Sequence, residues 1–117
     1  MSLSKEDMYP HVRKKLQEWY PEKRGWKIYA RNEVHGIQPD FLIEKTTGSK
    51  IERSFCAVEV AKMINEDHMK RIGHYLDILS GQNVAILENI LAVPAGTDTS
   101  CVPEGISLMR IQHVPEE

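Results

Sequence analysis

The run FCAVEVA, residues 55–61, decides how the rest of the chain is read. Every position but Glu59 is apolar or small, and a strand of that kind lies in the middle of a sheet with a layer packed on each face. Phe41-Leu42-Ile43, behind Pro39-Asp40, predicts the neighbouring strand, and Gly48 within 46–49 predicts a hairpin turn between the two. Further back, Ile28 and Tyr29 give a short strand over 26–30, followed by a turn at His35-Gly36. On the other side, residues 65–79 place Met69, Ile72, Gly73, Leu76 and Leu79 inward, with Glu66, Lys70, Arg71, His74 and Asp77 outward. That is a helix with one apolar face, ended by Ser80-Gly81. Strands over 84–93 and 106–111 follow, separated by a loop from Pro94 to Pro103.

At the front, Met8, Val12, Leu16 and Trp19 predict an amphipathic helix over 7–20. Proline fits a first turn better than an interior, so Pro10 favours Asp7 over Ser4 as N-cap. Pro21 and Gly25 then stop the helix. The order is helix, three strands, helix, two strands, which predicts an α/β fold with a mixed central sheet flanked by helices. The chain has 117 residues, so a single domain over 1–117 is expected.

Hydrophobic residues at 41% against charged residues at 27% are enough for a packed core. No apolar run approaches the roughly 20 residues of a bilayer span, and MSLSKEDMYP lacks the apolar stretch of a secretory signal, so the expectation is no membrane and a cytoplasmic location. Cys56 and Cys101 form no CxxC pair. His11, His35, His68, His74 and His113 show no HExxH spacing, so a zinc site is not expected. The net charge of -2 hides an uneven distribution, since residues 1–31 carry eight Lys/Arg against four Asp/Glu. Arg13, Lys14 and Lys15 either follow a phosphate backbone or simply solvate a helix face.

Glu59 needs compensation, because an unpaired carboxylate inside an apolar strand costs several kcal/mol or takes up a proton. Asp40 stands at the mouth of the preceding strand, where a hairpin brings it toward Glu59. Two adjacent carboxylates repel unless a cation lies between them, and Mg²⁺ with oxygen ligands is one solution. A salt bridge from Glu59 to a lysine or arginine is the structural alternative. Lys62 follows three residues later and is a candidate to act on water or phosphate.

Pro39-Asp40, the hairpin, Glu59 and Lys62, within this element order, resemble the PD-(D/E)XK (restriction endonuclease-like) nuclease superfamily. Small archaeal Holliday-junction-resolvase-like and Mrr-like domains look most similar. The resemblance implies an αβββαβ core and metal-dependent hydrolysis of phosphodiester bonds in nucleic acid, DNA being the expected substrate, with Mg²⁺ or Mn²⁺. It implies Asp40 and Glu59 as metal ligands, Val60 as a carbonyl ligand, Lys62 as the catalytic lysine, and Glu6 or Glu18 as an acid from the first helix. In such a fold Arg13, Lys14, Lys70, Arg71 and His74 are candidate nucleic-acid contacts.

One departure stands out. The family spaces Glu and Lys by two, which puts both on one strand face, and here Ala61 occupies that place. Lys62 reaches the site only if the strand bulges or ends first; otherwise Lys70 or Arg71 is the nearest substitute cation. The alternative function is therefore a catalytically degenerate nuclease-fold domain that binds nucleic acid or a protein partner without cleavage. A small interaction domain in which Glu59 pairs structurally is a further rival. A homodimer would bring two cleavage centres to two strands of a duplex.

Overall fold

The computed structural model describes residues 4–112; His113 and the ends of the 1–117 domain expectation lie outside the described residues. Helix α1 (Lys5–Trp19) begins at Ser4, not Asp7. The Asp7 N–H donates to Ser4 Oγ at 3.3 Å and the Ser4 N–H donates back to Asp7 Oδ2 at 2.9 Å, a reciprocal cap that closes the first turn. The Ser4 N–H, and after it the Ser4 hydroxyl, donate to the Asp7 carboxyl and hold it below its ordinary range. The cap overrides the proline argument, and Pro10 stands inside the helix at the loss of one backbone hydrogen bond. Met8, Val12 and Leu16 form the buried stripe. Their step of four continues to Tyr20, which is buried, whereas Trp19 is 42% exposed and outside the stripe where the spacing had put it.

Five strands make one sheet in the order β1 (Lys27–Ala30), β2 (Phe41–Thr47), β3 (Lys50–Val58), β4 (Val84–Pro94), β5 (Ile106–Ile111). The first three are antiparallel neighbours, and β4 and β5 run parallel to β3. The α/β class, with a mixed sheet and two helices, thus holds. The central position of β3 also holds, and Arg53 through Val58 are all buried. Its limits differ from the expected 55–61. The turn at Gly48, with φ +63°, lets pairing begin at Thr47↔Lys50, and the strand ends at Val58.

The α1 face of the sheet buries Phe41, Ile43, Cys56, Val58, Ile90 and Met109 against the helix stripe. Helix α2 (Glu66–Leu79) covers the other face, capped by Asn65, whose Oδ1 accepts the His68 N–H at 3.2 Å. Ile72 and Leu79 are its buried residues. Met69 and Leu76 are only half-buried and Gly73 is exposed, a narrower apolar face than the spacing predicts. Register between β3 and β4 shifts after Arg53↔Ile86, so that Ser54 meets Glu88 and Leu87 bulges out, 48% exposed. No helix among the described residues is long and apolar enough to cross a membrane.

Candidate functional site

Antiparallel pairing puts the start of β2 beside the end of β3, with Phe41 opposite Cys56. Asp40, one residue before β2, therefore comes level with Ala57, next to Val58 and Glu59. Asp40 Oδ2 accepts the Val58 N–H at 2.8 Å. Glu59 extends the ladder past the strand, its N–H donating to the Ala92 carbonyl at 3.0 Å, and its side chain is only 8% exposed. The two acids reach the same end of the sheet.

Both helices send a cation there. Lys5 Nζ, in the first turn of α1, lies 3.4 and 3.5 Å from the two Asp40 oxygens and 3.9 Å from Glu59 Oε1. Arg71, in α2, donates to Glu59 Oε2. The compensation that Glu59 demands thus comes from side chains, with two bases against two acids. Tyr9 adds a neutral donor, its hydroxyl 2.6 Å from Asp40 Oδ1. Burial, then the bond to Asp40, pushes the Tyr9 phenol up to about 12, so it stays protonated and donates. The Arg31 guanidinium lies 4.6 Å from the centre of the Tyr9 ring. The space left is a cleft of about 70 Å³, whose polar lining is Lys5, Gln38, Asp40, Glu59, Arg71 and Tyr75.

The remaining candidates lie elsewhere. Lys62 is exposed and outside the cleft lining. Once β3 has ended, its segment is tied to a loop instead: the Asp98 N–H donates to the Lys62 carbonyl at 2.8 Å and Thr97 Oγ1 to the Ala61 carbonyl at 2.7 Å. The early strand end that would release the lysine does occur, but it carries Lys62 toward this loop. Glu6 is 74% exposed and pairs with Arg31 at 3.7 Å, because one step along a helix turns a side chain by about 100° from Lys5. Glu18 lies near the other end of α1, beside Ile111 and Gln112. Helix α1 therefore contributes a base to the cleft where an acid was expected. Val60 packs against the α1-side core.

Lys70 and His74 are exposed on α2, and of the α2 candidates only Arg71 lines the cleft. The basic front is divided by the helix. Arg13 lines a groove of about 370 Å³ with Gln17, Trp26 and Lys27, whereas Lys14 and Lys15 lie beside Ile111 and Gln112. These residues do not share one face.

The sequence reading passed over Lys5, since a helix beginning after Asp7 leaves Lys5 outside it. The pattern Ser4-x-x-Asp7 is the signal that would have found it. It also passed over Glu88, which the bulge turns inward, where Tyr20 Oη donates to Oε1 and Ser107 Oγ to Oε2 at 2.9 Å.

Among the described residues no group of three or more His, Cys, Asp or Glu converges to hold a metal. Asp40 and Glu59, two hard oxygen donors already sharing one cation, fit a Mg²⁺ or Mn²⁺ that keeps several waters. No family model, no curated protein and no solved structure matches the chain.

Proposed function

We propose that the chain is a metal-dependent nuclease-like domain that hydrolyses phosphodiester bonds in nucleic acid, with DNA as the expected substrate and Mg²⁺ or Mn²⁺ as the ion. The observation that carries this reading is the approach of Lys5 to both Asp40 and Glu59 in one cleft. Two carboxylates and a lysine are the functional groups such hydrolysis uses, and here helix α1 supplies the lysine. The topology supports the PD-(D/E)XK resemblance, with three antiparallel strands, a crossover helix and a parallel strand in the αβββαβ order.

Asp40 and Glu59 would hold the ion. When bound, the ion supplies Lewis-acid activation of the phosphodiester and of the attacking water. Tyr9 and the Val58 N–H fix the Asp40 carboxylate by two hydrogen bonds, so its orientation does not depend on the cation beside it. Lys5 would lend positive charge to a phosphate in the cleft, whose oxygens gather negative charge as the phosphorus becomes pentacoordinate.

A second reading is a degenerate domain that binds nucleic acid without cutting. The exposed position of Lys62, outside the cleft, favours it. Incubation with junction, single-stranded and duplex DNA in Mg²⁺ or Mn²⁺ separates the two. Cleavage that Asp40→Asn abolishes supports the nuclease. Binding of the same substrates without cleavage supports the degenerate domain.

A further inference from the structure

We propose that Lys5 and Arg71 are phosphate-binding residues held in reserve by the acidic pair, released to a nucleic-acid backbone when a divalent cation replaces them. This rests on the reading of Asp40 and Glu59 as metal ligands. It adds what happens to the two displaced bases.

The starting point is charge balance. Lys5 and Arg71 neutralise Asp40 and Glu59 in the free protein, so neither base is fully available to an incoming phosphate. Both bases are only partly covered, with side-chain exposures of 42% and 49%, while Asp40 and Glu59 are 15% and 8% exposed. The acids are the fixed members of each pair and the bases are the mobile ones. Asp40 is held by two neutral donors that remain if Lys5 leaves, the Val58 N–H and the Tyr9 hydroxyl. Each base can swing outward once a divalent ion takes over its charge, because neither buried acid is then left uncompensated.

Substitution of a divalent ion for these bases frees two positive charges at the cleft mouth, one from each helix. Lys5 offers a compact ammonium and Arg71 a planar fork suited to two phosphate oxygens. Divalent ion and nucleic acid then bind with positive coupling, and by linkage each raises the affinity of the other by the same factor. Ordinary electrostatic binding behaves in the opposite way, since divalent cations compete for the phosphates and weaken it.

The test measures the affinity of a fluorescein-labelled 20-base-pair DNA duplex by anisotropy, at constant ionic strength, in EDTA and in Ca²⁺, which takes the same oxygen ligands. Calorimetry follows Ca²⁺ binding in the same proteins. For the wild type the proposal expects DNA affinity to rise about tenfold with Ca²⁺, a typical coupling factor. The Lys5→Met/Arg71→Met double variant should bind Ca²⁺ at least as tightly as wild type and lose the rise. Ca²⁺ uptake without any rise in wild-type DNA affinity overturns this proposal and leaves the metal site standing. Absence of Ca²⁺ uptake by the wild type overturns the proposal together with the reading beneath it.

Discussion

Two acidic regions on the same sheet are compensated in different ways. Glu88 is held by hydroxyls: Tyr20 and Ser107 donate to it, and Tyr20 also contacts Ser54 Oγ at 3.0 Å. Asp40 and Glu59 are held in part by the charged groups Lys5 and Arg71. Once the acid is removed, the Ser107 hydroxyl loses its acceptor and the Tyr20 hydroxyl is left with Ser54 alone. Ammonium and guanidinium groups at a cleft mouth can turn to water or to another anion. The difference separates an acid that holds the fold from a pair open to exchange.

Glu88→Ala should have the largest effect on stability. It removes the acceptor of Ser107 and the charged acceptor of Tyr20, and should cost about 2–3 kcal/mol in urea unfolding, with metal binding at the cleft unchanged. A loss below about 1 kcal/mol would place Glu88 among the dispensable surface acids. Glu59→Gln comes next, at about 1–2 kcal/mol, because the amide keeps one acceptor but not the charge that Arg71 faces. Removal of like-charge repulsion would have argued for a gain, but Lys5 already relieves that repulsion.

Arg71→Met should cost about as much as Glu59→Gln, because it leaves the buried Glu59 carboxylate without its hydrogen-bonded partner, whereas Lys5→Met should cost less than about 1 kcal/mol, since Asp40 keeps the Tyr9 and Val58 donors. A cost as large as that of Glu88→Ala would erase the contrast between the two regions.

Alkaline pH offers a gentler probe. The Tyr9 phenol ionises near 12 in the fold against 10.0 as the ordinary value, so its protonated form is favoured by folding. Its contribution is complete below pH 10 and is lost as pH rises toward 12. Burial raises the Tyr20 phenol further, to above the range of Tyr9. Tyr9→Phe should flatten the fall in stability between pH 10 and 12 without removing the part due to Tyr20. The smallest expected effect belongs to Lys62→Ala, within about 0.5 kcal/mol of wild type and without influence on metal or DNA binding.

Much of the fold was legible in the sequence because hydrophobic spacing reports which face is buried. The strand over 106–111 and the order of elements follow from it directly. Asp40 beside Glu59 was legible too, since an acid in an apolar run demands a partner and a hairpin supplies the proximity. What could not be read were features set by single hydrogen bonds and by one-residue offsets. The cap at Ser4 moves Lys5 into the first turn of α1, the bulge at Leu87 turns Glu88 inward, and the end of β3 at Val58 turns Lys62 away. Each offset is small along the chain, yet it decides which charged side chain enters the cleft.

The central claim is that the acids compensated by bases, and not the acid compensated by hydroxyls, form the divalent-metal site. Mn²⁺ titration followed by electron paramagnetic resonance tests it on the wild type, Asp40→Asn and Glu88→Gln. The account predicts Mn²⁺ uptake by the wild type and by Glu88→Gln, and loss of that uptake in Asp40→Asn. Equal uptake by the wild type and Asp40→Asn, or no uptake by any of the three, would contradict it.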